Sequence, residues 1–126
     1  GEGIMLAFRM HDEGEDDHLE TTTFDARAVT QPISRAVGED VQKTSGVVAL
    51  PNGFALAWIE ADSEVHVARW DEHGAPAGRA TVHRGEVAPF SIALTEDAGA
   101  LVVAFQDVAR YPYALVAKRI AMNDLH

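Results

Sequence analysis

The densest group of side chains that could do chemistry lies in residues 11–18, HDEGEDDH, between two predicted strands. Ca²⁺ takes about six to eight oxygen ligands, and this short run offers several carboxylates, whereas the flanking histidines could instead bind a transition metal. The spacing is not that of an EF-hand, so we expect a solvated acidic loop and no cofactor. The alternative is a metal site, with Ca²⁺ as the candidate ion. The candidate ligands are Asp12, Glu15, Asp16, Asp17 and His18.

A second group of carboxylates, Glu60, Asp62 and Glu64, lies where one predicted strand ends and the next begins. Two carboxylates held at a fixed separation in a pocket can perform acid–base chemistry. No local pattern indicates burial, so we expect these side chains on a surface turn. His66 alternates with two valines and is therefore expected on the opposite face of its strand from them.

Exposed aromatic side chains are the remaining candidates for contact with a ligand. Tyr111 and Tyr113 flank Pro112 in a predicted loop, where their rings could stack on a carbohydrate or pack against a protein. No nucleophile elbow or phosphate-binding loop is present in the sequence. The absence of cysteine excludes a thiolate nucleophile and a cysteine-type zinc site. We therefore predict no catalytic residues.

The composition limits which class of protein this chain can belong to and which kinds of partner it can bind. The chain has 126 residues, 47% of them hydrophobic, which is enough apolar surface for one folded domain. The net charge of −10 repels phosphate backbones and therefore argues against nucleic-acid binding. Uncharged runs fall short of the roughly 20 apolar residues that span a bilayer, so no membrane insertion is expected.

The apolar runs are short, rich in β-branched and aromatic residues, and separated by turn residues, a pattern typical of an all-β protein. Between two of them, Pro51, Asn52 and Gly53 form a hairpin signal, since Gly tolerates a positive φ. The predicted strands are residues 4–10, 18–25, 46–50, 54–60, 64–71, 80–83, 90–94, 100–106 and 113–120.

The strands fall into an internal repeat. Residues 47–78 align with residues 91–124, and a partial third copy begins at Ile4. The approximate units are 1–43, 44–88 and 89–126, with the first and last incomplete. A period near 50 residues with about four strands per unit is that of a propeller blade. Large residues in two aligned columns are expected to form the core between units: Phe8, Trp58 and Phe105 in the first, and Phe24, Trp70 and Ile120 in the second.

The sequences LPNGFALAW and VARWDEHGAPAG of the second unit resemble the β-propeller-type repeats of bacterial secreted and surface proteins. In those repeats a strand ends in a D/N-G turn, the next ends in Trp, and a third ends in R-[FW]-D-x-x-G-x-x-x-G. The resemblance implies a partial propeller and an extracellular or cell-surface location. A β-sandwich is the alternative fold.

Fewer than three units are too few for closure, because propellers need about four to eight blades. The chain begins and ends inside a unit, so we expect a fragment of a longer propeller, or closure by homo-oligomerisation or by a complementary propeller chain. The leading functional hypothesis is a non-catalytic binding or assembly module. The alternatives are part of a propeller hydrolase or lyase whose catalytic residues lie on other blades, and a Ca²⁺-dependent carbohydrate binder.

Overall fold

The structure is a computed structural model, and it describes residues 3–10, 18–25, 35–39, 41–60, 63–87 and 89–125. Over these residues the chain forms eleven β-strands and one short 3-10 helix, Met122–Asp124. The prediction of an all-β protein is therefore confirmed. The strands form three antiparallel sheets, and none of the three closes on itself. Within this part of the chain, no helix is long and apolar enough to cross a membrane.

The sheets follow one another along the chain, and in each of them most strands pair with their neighbours in sequence. Sheet 1 contains β1 (Gly3–Met10), β2 (His18–Asp25) and β3 (Arg35–Glu39). Sheet 2 contains β4 (Val41–Thr44), β5 (Val48–Leu50), β6 (Gly53–Glu60), β7 (Glu64–Asp71) and β8 (Pro76–Arg84). Sheet 3 contains β9 (Ile92–Asp97), β10 (Ala100–Asp107) and β11 (Ala114–Ala121).

Two edge strands, β3 and β4, have no counterpart among the predicted strands. Their sequences, RAVGE and VQKT, are short and carry little apolar alternation. They are strands because β2 and β6 offer unpaired backbone groups beside them. β4 and β5 both pair with β6, so together they form one interrupted edge. At the interruption, Ser45 Oγ accepts a hydrogen bond from the Ala57 amide at 3.0 Å, which satisfies a buried donor.

The three sheets share one cross-strand register. Each sheet contains one residue of the first aligned column and one of the second. The residue four positions before the first-column residue pairs, across the hairpin, with the second-column residue of the same sheet. The pairs are Ile4↔Phe24, Phe54↔Trp70 and Leu101↔Ile120. The hairpin loops between these strands differ in length, so the equivalence comes from strand pairing and not from a constant spacing along the chain.

Sheets 2 and 3 pack face to face and enclose one apolar core. From sheet 2 it takes the odd-numbered positions of β6 and β7, and from sheet 3 the odd-numbered positions of β10, with Leu125 at one end. These core residues are Ala55, Ala57, Ile59, Val65, Val67, Leu101, Val103 and Phe105. Alternation along each strand decides which residues enter this layer, because successive side chains point to opposite faces.

The other face of sheet 2 is also buried. Phe54, Leu56, Trp58 and Trp70 cluster there, and Trp58 has no exposed surface. Of the other predicted core residues, Phe105 is buried between sheets 2 and 3, and Ile120 packs against that core while partly exposed. Phe8 and Phe24 lie in β1 and β2, where the structure describes strand pairing alone.

Candidate functional site

The β6–β7 hairpin carries a cluster of two glutamates and a histidine at its closed end. Trp58 pairs with His66 and Ile59 with Val65, so Glu60 and Glu64 end the two strands opposite each other. All three cluster residues occupy even-numbered positions, on the face of sheet 2 that also carries Trp58. Because cross-strand neighbours on one face lie within about 5 Å and diagonal ones within about 8 Å, the hairpin brings these side chains together.

The three side chains converge on one small region. His66 Nε2 lies 3.1 Å from Glu60 Oε2 and 3.4 Å from Glu64 Oε1. One nitrogen or oxygen atom from each residue lies within 4.8 Å of the corresponding atoms of the other two. The His66 ring also stacks on Trp58, with 5.5 Å between the ring centroids. An imidazole and two carboxylates in this arrangement could exchange a proton or hold a divalent cation.

Strand β8 and Trp58 supply a second layer of polar partners. Trp58 Nε1 donates to Glu60 Oε1 at 3.1 Å, and Arg79 Nη2 lies 3.5 Å from the same oxygen. Arg84 Nε pairs with Glu64 Oε2 at 3.0 Å. Thr81 Oγ1 lies 3.2 Å from His66 Nδ1, and Arg79 Nη2 lies 3.4 Å from it. These partners contact Glu60 Oε1, Glu64 Oε2 and His66 Nδ1. The other polar atoms of the cluster, Glu60 Oε2, Glu64 Oε1 and His66 Nε2, face one another.

The expectation of solvated carboxylates on a surface turn is wrong for Glu60 and Glu64. Their side chains are 15% and 19% exposed, and His66 is 5% exposed. β6 ends at Glu60 and β7 begins at Glu64, as predicted, but Arg79 and Arg84 of β8 contact these side chains and cover them. The third carboxylate of that prediction, Asp62, lies outside the described residues.

The predicted acidic metal site also falls mostly outside the described residues. Asp12, Glu15, Asp16 and Asp17 belong to the segment 11–17, which the structure does not describe. His18 begins β2, where only strand pairing is given. The Ca²⁺ site proposed from the sequence therefore stays a prediction.

The two tyrosines predicted to contact a ligand belong to an exposed aromatic patch formed by Phe90, Tyr111 and Tyr113. Tyr111 is 88% exposed, and Tyr113 is roughly half exposed. Their rings meet edge to face, with 5.7 Å between centroids, and Tyr113 meets Phe90 in the same way at 6.1 Å. The two tyrosines lie just before β11 and close in sequence to exposed Leu115, whereas Phe90 lies just before β9.

A cleft of about 410 Å³ lies beside the β5–β6 and β9–β10 turns. Asn52, Arg69, Asp71 and Glu96 line it, together with apolar residues.

No protein-family model, curated protein or solved structure matches this chain. Among the described residues, Glu60, Glu64 and His66 are the one group of three histidine or carboxylate side chains whose potential ligand atoms lie within 4.8 Å of one another. Pairing the two predicted strands, residues 54–60 and 64–71, across the turn predicted between them would have brought these three side chains together, but would not have shown their burial.

Proposed function

We propose that this chain is a β-propeller segment that acts as a non-catalytic binding or assembly module, in which a second copy of the chain stacks on sheet 3. One observation carries the proposal. Sheet 3 leaves Leu115 and Ala117 exposed, at positions equivalent to those that sheet 2 buries by packing against sheet 3. Each unit of a repeat protein packs against the units before and after it, so the outer face of the last unit can pack against a further unit in the same way.

The shared register makes this equivalence specific. In sheet 2, Ile59↔Val65 and Ala57↔Val67 pair across the strands, and all four residues are fully buried. The corresponding pairs in sheet 3 are Gln106↔Leu115 and Ala104↔Ala117. Three of these four residues are apolar, yet Leu115 is 81% exposed. At these two pairs the outer face of sheet 3 is mostly apolar, as in sheet 2, and it lacks a covering sheet within the described residues.

Burial of this face would favour association. Covering one leucine side chain contributes about 1.5–3 kcal/mol, and contiguous exposed apolar surface marks interaction sites in soluble proteins. The aromatic patch, whose Tyr113 lies two residues before Leu115 in the chain, could contact a protein or carbohydrate ligand. The net charge of −10 on each copy opposes association, so dimerisation should strengthen as added salt screens the repulsion.

The test is the mass of the native particle, measured by light scattering on a size-exclusion column at several protein and salt concentrations. We expect a discrete dimer or larger ring for the wild-type chain, and a shift towards monomer for Leu115→Glu. Val87→Glu is the matched control, because Val87 is exposed but lies in the loop after β8.

Two results would count against the proposal. A monomer of 13.6 kDa at every concentration would exclude self-association and favour an isolated β-sandwich. An oligomer that Leu115→Glu and Val87→Glu weaken equally would place the contact somewhere other than the outer face of sheet 3.

A further inference from the structure

We propose that Glu60, Glu64 and His66 bind one divalent transition-metal ion, and that zinc is the ion their donor atoms suit best. One nitrogen and two carboxylate oxygens lie within 4.8 Å of one another. Mixed nitrogen and oxygen donors are typical ligands of Zn²⁺ and neighbouring first-row ions. Ca²⁺ and Mg²⁺ prefer oxygen ligands alone. This inference is independent of how the sheets assemble.

The buried nitrogen of His66 points to a missing partner. His66 is 5% exposed, and its Nε2 atom makes no hydrogen bond of acceptable geometry. The same atom nevertheless lies 3.1 Å and 3.4 Å from two carboxylate oxygens. Buried polar atoms nearly always have a partner, because leaving one unpaired is unfavourable. A cation held between Nε2 and the two carboxylates would provide that partner.

The outer contacts leave one oxygen of each glutamate for the ion. Glu60 Oε1 accepts from Trp58 Nε1, and Glu64 Oε2 pairs with Arg84. The remaining oxygens, Glu60 Oε2 and Glu64 Oε1, are those that face His66 Nε2. Outer-shell partners of this kind orient the ligands of metal sites and tune their affinity.

Thr81 can set the state of His66 that a metal requires. Its Oγ1 atom lies 3.2 Å from Nδ1 and is closer to it than Arg79 Nη2, at 3.4 Å. We assign the Nδ1 hydrogen to a bond with this hydroxyl, and the Arg79 Nη2 hydrogen, which can only be donated, to Glu60 Oε1. This assignment leaves a lone pair on Nε2. A neutral imidazole with a free lone pair is the form that binds metal ions.

The distances fit zinc coordination. Bonds of about 2.1 Å at tetrahedral angles separate ligand atoms by about 3.4 Å, close to both distances from His66 Nε2. One carboxylate oxygen of each glutamate lies within 4.8 Å of the other, and rotation of a glutamate side chain would have to bring this separation to the zinc value. Three protein ligands leave a fourth position for water, as in open zinc sites. The partly exposed glutamates give the ion a route from solvent.

The alternative is a metal-free ion-pair cluster, in which Arg79 and Arg84 balance the two carboxylates. To distinguish the two, we would strip the chain with a chelator, titrate it with zinc chloride, and follow tryptophan emission. Emission is a local reporter, because Trp58 contacts both His66 and Glu60. Calorimetry on the same samples would count the zinc ions bound at all sites, including any in residues 11–17.

Variants at the cluster should change zinc affinity with little change in the fold. We expect Glu64→Gln to weaken zinc binding, measured by emission, at least about tenfold. Thr81→Val changes an exposed residue that contacts His66 Nδ1 and should weaken zinc binding about tenfold. Glu72→Gln is the matched control. Glu72 and His73 are exposed, with 3.6 Å between Oε1 and Nε2. They are of the same residue types as the cluster, but among the described residues they do not belong to a group of three potential metal ligands. A circular dichroism spectrum of each variant would check folding.

Three outcomes would overturn the proposal. The first is no zinc-dependent change in emission of the wild-type chain, and the second is equal zinc affinity in the wild type and Glu64→Gln. Either would leave the cluster as a metal-free ion-pair network. The third is a response to Ca²⁺ or Mg²⁺ as strong as the response to zinc, which would exclude a site selective for transition metals.

Discussion

Replacement of Gly53 by alanine tests the pairing at the open end of the β6–β7 hairpin. Gly53 begins β6 with a φ of 153°, a conformation that residues with a side chain rarely adopt. A Cβ atom there would lie 1.9 Å from the carbonyl oxygen of Trp70. Because that oxygen belongs to the backbone of β7, the clash is relieved only if the two strands move apart.

The expected loss of stability is the sum of two contributions. Forcing alanine into this backbone region costs about 1–3 kcal/mol, and inserting a methyl group into an occupied space costs about 1–3 kcal/mol more. Gly53→Ala should therefore lower the free energy of unfolding by about 2–6 kcal/mol. Urea denaturation followed by tryptophan emission would measure it, since Trp58 and Trp70 are buried and become exposed on unfolding.

Two other glycines separate the clash from the backbone effect. Gly99 has a φ of 81°, and no atom lies within 4 Å of the position that an alanine methyl group would occupy, so Gly99→Ala should lose only about 1–2 kcal/mol. Gly46 has the same open space without a positive φ, so Gly46→Ala should be close to neutral. Equal losses for Gly53→Ala and Gly99→Ala would refute the close approach of Gly53 to Trp70.

Two further substitutions test the core by the same urea assay. Phe105→Ala removes a buried ring between sheets 2 and 3 and should cost about 3–5 kcal/mol. Exposed Phe90→Ala is its control, and similar losses would contradict the stacking of these sheets. Ser45→Ala leaves the buried Ala57 amide without its acceptor and should cost about 1–3 kcal/mol. If it costs no more than exposed Ser91→Ala, that hydrogen bond contributes nothing to stability.

Strand positions could be predicted from the sequence wherever the signal is local. Period-two alternation and a Pro-Asn-Gly turn placed β6 and β7 to within one residue at each end. The two aligned columns were found by comparing the units, and strand pairing relates them in the same way in all three sheets. Both kinds of signal depend only on which residues follow one another along the chain.

Other features were decided by tertiary structure alone. β3 and β4 lack a pattern of their own and are strands because neighbouring backbones have unpaired groups. Glu60 and Glu64 are largely covered because β8 brings Arg79 and Arg84 against them from later in the chain. A local sequence fixes the periodicity of its side chains but not which distant strand will cover them. The burial and chemistry of a polar residue therefore depend on the folded neighbours.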